Sequence, residues 1–386
     1  MPAGKTAFIS RWSEKLFPHT WKALQSCVES KLSPGLVAGW WLADEDVCHI
    51  RALGHRRLTP SAQPMLEETV FDVASLTKPL ATAALAAVFA ERGLIDWDDD
   101  IRKFLPGACT SGITLRHLLS HTAGYPAEIP FWKEIDALFG KKYPGRTLYD
   151  VPVSERKSAM RELAIQAKPE AAPGKKTVYS DVSYILLGFA LEEAAGMSLD
   201  SAVNTHVWSR IGLKHSFFSI TNRSPQKGIM NDVAATEDCP WRGAVMQGQV
   251  HDENCWAMGG CGGHAGMFST AEDVLRISAS FIKGFFSKRM LDQLWTRVAK
   301  PEGCRRTPGW DTPSGDIPAV GSGFSPQTVG HLGFTGTSIW IDPDKGLAMT
   351  LLANRVHPVR GENIFKQFRP VFHAALHSDL RALNKI

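Results

Sequence analysis

Two stretches of the chain set apolar runs on either side of a turn-forming segment, the pattern of a β-hairpin. Over 34–56 the text PGLVAGWWLADEDVCHIRALGHR has two apolar-rich runs separated by the polar positions 43–46. Over 336–355, TSIWI and LAMTLLANR flank Asp342, Pro343, Asp344, Lys345 and Gly346, a tight-turn composition. Apolar residues spaced three and four apart predict helices over 75–94, 114–120, 154–166, 183–195, 199–211 and 271–284, with an amphipathic helix over 364–383. Strands near both ends and helices between them predict an α+β fold. Its antiparallel sheet is closed by the two termini and flanked by helices, instead of being built from alternating βαβ units. No internal repeat or low-complexity linker divides the chain.

Composition narrows the classes. Across 386 residues, 44% are hydrophobic and 21% charged, enough for a sizeable core and against wholesale disorder. Lysine and arginine total 43 against 39 aspartates and glutamates, a net charge of +4 with no long basic block. That argues against nucleic-acid and membrane partners. The seven cysteines, Cys27, Cys48, Cys109, Cys239, Cys255, Cys261 and Cys304, are odd in number and scattered, which fits reduced thiols. The first residues lack an apolar run of signal-peptide length, and no segment reaches the roughly 18 apolar residues of a membrane span. A cytoplasmic protein is the expectation.

A serine followed three residues later by lysine occurs at Ser75/Lys78, Ser154/Lys157 and Ser224/Lys227. One helical turn brings such a pair onto one face. Ser154 opens a charged helix and reads as an N-cap, whereas Ser224 lies in the polar loop TNRSPQKG. Ser75 instead opens SLTKPLATAALAAVFAERGL, a helix apolar enough to be buried on most sides. Desolvation there lowers a lysine pKa and gives the serine a neighbouring base without histidine. The structural reading of the same residues is an N-cap serine and a snorkelling lysine. Tyr179 and Asp181 stand just before a predicted helix, placed to face a cleft or to plug the core. In Gly330-His331-Leu332-Gly333-Phe334-Thr335-Gly336-Thr337, the glycines allow something to approach the backbone closely, or mark a bulge.

Taken in order, these three segments resemble the serine β-lactamase and penicillin-binding-protein-like superfamily, nearest the class C β-lactamase-like esterases and peptidases. LIDWDDDIRKFLPG, ITLRHLLSHTAGY, VYSDVSYILLG and the run from ATEDCPW to GGHAGMFSTAEDV extend the resemblance over most of the chain. It implies a β-lactamase/DD-peptidase-like fold forming a single catalytic domain. The expected sheet lobe is 1–74 with 318–386, and the expected mostly helical lobe is 75–317. It also implies Ser75 as the acyl-accepting nucleophile, Lys78 as its partner and Tyr179 as the proton shuttle. The oxyanion hole would be the amides of Ser75 and Phe334, beside Gly333 on the strand edging the site. No metal or cofactor is implied, and the substrate would be a small ester, amide or peptide.

Departures from the family pattern carry information. Asp181 stands where β-lactamases usually have asparagine; an ionised carboxylate would stabilise the Lys78 ammonium and favour Tyr179 as the base, while also opposing a phenolate. His331-Leu332-Gly333 stands where Lys-Thr-Gly is usual, which removes a permanent cation and a hydroxyl donor. Both changes disfavour β-lactams and D-alanyl-D-alanine ends and favour ester-like substrates, with a peptidase or β-lactamase, or a non-catalytic binder, as the alternatives.

Other signals read as structural. His251, Cys255, Cys261 and His264 lack the paired spacing of a zinc site. The glycines at 259–263 imitate a nucleophile elbow or dinucleotide loop without the preceding buried strand, so close backbone packing explains them better. His117 and His121 lack the glutamate of a zinc-protease helix, and Gly4-Lys5-Thr6 lacks the upstream glycine of a phosphate loop. Phe131 and Trp132, in the segment 126–150, are candidates for lining the substrate pocket or for packing in a core or lid.

Overall fold

The computed structural model describes residues 9–219, 221, 232–316 and 318–386. Ser224, Lys227 and the Gly4-Lys5-Thr6 run lie outside them. Among the described residues nine strands form one sheet, and both expected hairpins are at its centre. Gly35–Leu42 pairs antiparallel with Cys48–Arg57 and, on its other edge, with Leu347–Ala353, which continues to Ser338–Asp342 and Val329–Leu332.

All residues of Gly35–Leu42 are buried because both faces of the sheet are covered. Alternation along a strand sends successive side chains to opposite faces. Val37 and Trp41 enter the core shared with the central helices. Leu36, Ala38, Trp40 and Leu42 enter a second core with Phe368, Phe372 and Leu376 of the C-terminal helix Phe365–Ala382. The helix Pro18–Glu29, not anticipated from the sequence, packs beside that C-terminal helix.

The expected lobes interleave more than their boundaries suggest. Arg306–Thr307 and Trp310–Asp311 continue the main sheet beyond Val329–Leu332, although they precede position 318. Helix Ala271–Ile282 packs on the sheet strands Gly35–Leu42 and Leu347–Ala353. The segment 126–150 contains its own helix, Phe131–Lys142.

Among the central helices runs Asp181–Ala195, buried from Val182 through Leu191 and packed against Leu115–Leu119, Val153–Ile165 and Leu199–Val203. Ser180 caps its start by accepting from the Ser183 amide, and Gly196 ends it with φ 62°. The glycine run 259–263 passes directly over this helix: a Cβ at Gly263 would sit 2.1 Å from the Tyr184 carbonyl oxygen. Close backbone approach is therefore the reason for glycine there. All seven cysteines are free.

Candidate active site

The Phe71–Asp72 strand pairs with Met267–Ser269 and delivers the chain into a tight 3₁₀ turn, Ala74–Leu76, followed without a break by a buried helix. Ala74 has φ 49°, a conformation that is strained for a residue with a Cβ. Asp72 holds it there: its Oδ1 accepts from the Ala74 amide at 2.9 Å and its Oδ2 from the His251 amide at 2.7 Å. Burial pushes the Asp72 carboxyl upward against the opposing pull of those two amides. The hydroxyls of Thr335 and Thr337 donate to the carbonyls of Asp72 and Val73 at 2.8 and 2.9 Å, tying the turn to the sheet. Ser75 is thus presented by an over-determined backbone.

Lys78 is fully buried, as the apolar helix predicts. Its Nζ lies 3.1 Å from Ser75 Oγ, 2.9 Å from the His264 carbonyl oxygen and 2.6 Å from Asp181 Oδ1. An ammonium has three hydrogens to donate, and here it faces three acceptors. Burial alone would lower the lysine pKa, but the Asp181 carboxylate opposes it and the net direction is upward. Asp181 is thus the counter-ion of Lys78, the arrangement under which the sequence reading made the lysine a weak base and turned to Tyr179.

Tyr179 reaches the same centre from the turn before the long helix. Its phenol faces Lys78 and Ser75, and the Lys78 nitrogen lies 4.9 Å from its ring centroid. Burial raises the phenol above its ordinary value of 10.0; Lys78 pulls it down and Asp181 pushes it up, leaving it raised. His121 packs against the Tyr179 ring, centroid to centroid 4.5 Å, while its Nδ1 accepts from the Ser180 amide at 3.0 Å. The structural reading of His121 thus becomes specific, because it braces the tyrosine.

Across the cleft, His331 on Val329–Leu332 lies with its ring 5.8 Å from that of Tyr179. Its Nδ1 faces the Leu332 carbonyl at 2.9 Å; a carbonyl only accepts, so Nδ1 carries the hydrogen and Nε2 is left as the acceptor. Burial, then Lys78 and Arg306, push this imidazole well below its usual pKa, so it is neutral. Gly333 admits no side chain: a Cβ would meet Thr337 Oγ1 at 1.9 Å and the Val73 carbonyl oxygen at 2.6 Å. Phe334 follows it at the cleft wall, stacked on His251 with centroids 5.7 Å apart.

The cleft so formed is lined by Ser75, Tyr179, Asp181, His331, Gly333 and Phe334 together. It also contains residues that no sequence motif marked. Arg306 places its guanidinium 5.0 Å from the Tyr179 ring centroid, so the cleft keeps a permanent cation although His331 supplies none. No motif points to Arg306, which stands on a separate short strand. Asp72 did carry one: it is a lone charge inside the apolar run VFDVA.

Phe131 and Trp132 do not line the cleft. Phe131 is buried in the main core, and Trp132 packs on Trp241 with centroids 4.4 Å apart while Asn254 accepts from its amide. Their helix packs both against the core, which is the core-packing alternative for this segment. Ser154 is exposed within helix Val153–Ile165 and caps nothing, the cap position being Pro152. His117 closes a capping box with Thr114. His251 pairs with Glu237 at 3.0 Å and His264 with Asp252 at 2.9 Å, while Cys255 bonds the Ala265 carbonyl, so the four candidate zinc ligands have separate partners or settings.

With the geometry in place, comparison with known proteins is informative. The solved structure of EstCE1, a hydrolase with promiscuous acyltransferase activity, superposes with a TM-score of 0.70 at 19% identity, covering 94% of this chain and 99% of that one. A class C β-lactamase gives 0.69 at 19% identity over 95% and 98%. Simvastatin synthase from Aspergillus terreus gives 0.70 at 18% over 96% and 100%. By sequence, a Salmonella typhi protein provisionally named D-alanyl-D-alanine carboxypeptidase is 32% identical, covering 75% of this chain and 70% of that protein. The Beta-lactamase family model matches residues 24–367, and the chain belongs to that family, within the serine β-lactamase/DD-peptidase superfamily of hydrolases.

Proposed function

We propose that Ser75 is acylated by small esters or amides and that water then releases the acid, with esters ahead of β-lactams. The observation that carries the reading is the contact of Ser75 Oγ with a Lys78 ammonium whose remaining partners are Asp181 and a backbone carbonyl. Because Lys78 donates to Oγ, it helps hold the developing alkoxide but does not take the proton; Tyr179 is the group placed to do so. In its phenolate form, the minority near neutral pH, Tyr179 takes the Ser75 proton as Oγ attacks the carbonyl carbon, and the resulting phenol gives that proton to the leaving group, which restores the phenolate. The amides of Ser75 and Phe334 are the donors for the carbonyl oxygen. The neutral His331 and the apolar Leu332 support ester-like substrates, because neither supplies the cation or hydroxyl expected for a β-lactam carboxylate. The neighbours' hydrolase and acyltransferase names fit the same chemistry.

The deciding experiment sets a short-chain nitrophenyl ester, a chromogenic cephalosporin and a D-alanyl peptide side by side, with Ser75→Ala as control. Hydrolysis of the ester alone supports this proposal. Rapid cephalosporin or peptide turnover moves it to a β-lactamase or peptidase, and no turnover leaves a binding relative. A reducing, cytoplasmic setting belongs to the same proposal, supported by seven unpaired cysteines and tested by fractionating the source cells.

The proton inventory gives a pH prediction. Tyr179 titrates above its ordinary value, so the phenolate fraction rises tenfold per pH unit through the neutral range. The logarithm of kcat/KM for the ester should climb with a slope near one from about pH 7 to pH 9. Asp181→Asn removes the carboxylate that pushes the phenol up and should move this limb to lower pH. A profile that is flat over that range in the unaltered protein would remove Tyr179 as the base.

A further inference from the structure

His251 touches the supports of both amides proposed for the carbonyl oxygen. Its own backbone amide donates to Asp72 Oδ2 at 2.7 Å, and the other oxygen of that carboxylate accepts from the Ala74 amide, immediately before Ser75. Its imidazole stacks on the Phe334 ring, with centroids 5.7 Å apart and planes 18° from parallel. One residue therefore meets the Ser75 turn on one side and the bearer of the second amide on the other. Asp72, His251 and Phe334 come from three distant stretches of the chain, so only the fold brings them together.

The ring is itself held. His251 is 3% exposed, and its Nε2 lies 3.0 Å from Glu237 Oε2. Burial works against an ionised Glu237, but His251 and Arg360 hold its carboxyl down at about 2. A carboxylate only accepts, so Nε2 carries the hydrogen. Arg360 grips Glu237 through Nε and Nη2 and also reaches Glu253 on the helix Glu253–Ala257, while Arg242 donates to the His251 carbonyl at 2.7 Å. Phe334, by contrast, is 46% exposed. Burial does not fix so open a ring; it rests on His251 and on the Arg355 guanidinium, 4.6 Å from its centroid.

We propose that His251 is a positioning residue for the oxyanion hole, setting the Phe334 amide against the Ser75 amide through the stack of its ring on Phe334. Glu237 and Arg360 are the mount that keeps the ring in place. The inference rests on the acyl-transfer reading above and adds a residue that acts through Phe334 instead of on the reacting atoms. Its contribution falls on kcat, because the carbonyl oxygen gathers negative charge only as Ser75 attacks.

The test pairs a nitrophenyl ester with its thionoester, whose sulfur is larger and a weaker acceptor, so that a well-fitted hole favours the oxygen ester. His251→Ala should lower kcat for the oxygen ester about thirtyfold with KM changed less than about twofold, and shrink the oxygen-over-sulfur preference about tenfold. His251→Phe keeps the stack and drops the bond to Glu237, and should retain most of both quantities. His251→Gln keeps a donor for Glu237 and drops the stack, and should lose as much as alanine. A histidine that only stabilises the fold would give the opposite order, since the retained hydrogen bond would then count for more than the ring. Phe334→Leu changes an exposed side chain and leaves the buried network intact, so the comparison survives even if a His251 variant folds poorly. It should lower the preference by itself, and adding His251→Gln should cost less than about twofold more. An unchanged preference in Phe334→Leu or in folded His251→Ala, full activity in His251→Gln, or independent losses in the double variant overturns the proposal. Ester hydrolysis that disappears in Ser75→Ala would still stand in that case, whereas no Ser75-dependent hydrolysis at all would remove the acyl-transfer reading and this inference together.

Discussion

Ser75→Ala is expected to lower kcat for the ester by at least about 10⁴-fold, because acyl transfer has no other oxygen to pass through. The fold should survive. Ser75 contributes one hydrogen bond from Lys78, worth about 1 kcal/mol, and the ammonium keeps Asp181 and the His264 carbonyl as partners. Thermal unfolding should therefore shift by only a few degrees, roughly as for any single lost hydrogen bond. The competing Ser-x-x-Lys pair supplies the control: Ser154 is exposed and does not line the cleft, so Ser154→Ala should keep full turnover. A fluorophosphonate probe should add its mass to the Ser75 peptide and to no other. Labelling elsewhere, or activity within tenfold of the unaltered protein in Ser75→Ala, would end the role assigned to this serine.

Much of this arrangement was legible from residue order, and the reason is local. Both hairpins are written in contiguous text, since a period of two bounded by turn residues needs no distant partner to be read. Ser75 and Lys78 were readable because helical geometry relates positions three apart. Tyr179 and His331 were placed by their resemblance to family motifs, and the cleft unites them. What was hidden depends on contacts across the chain. Arg306 becomes a cleft cation only when its short strand extends the sheet beyond His331. The 2.6 Å approach of Asp181 to Lys78, about a hundred residues apart in the chain, is likewise set by packing, although the carboxylate itself was legible. Phe131 and Trp132 look the same in sequence whether they face substrate or Trp241, and only packing separates the cases. Electrostatic sign and side-chain direction were the weakest parts of the sequence reading, because both are properties of neighbours.

Lys78→Met should abolish turnover and also unfold more readily, by about 3 kcal/mol, because it strips the counter-ion from a carboxylate that is only partly open to solvent. The two effects have different origins and can be pulled apart with Asp181→Asn. Combined as Lys78→Met/Asp181→Asn, the pair is replaced by neutral groups of similar volume, so most of the lost stability should return in a urea titration. Activity should not return with it. Nothing in the double variant donates to Ser75 Oγ from the buried side or offsets the charge that develops as the oxygen attacks. Methionine fills nearly the volume of the lysine stem, which keeps cavity formation out of the comparison. If the double variant proved as unstable as Lys78→Met alone, the defect would be one of packing, and the ion pair would lose its place in the account. If Lys78→Met kept more than about one hundredth of the original kcat, Lys78 would be a structural cation beside a serine activated by Tyr179 alone.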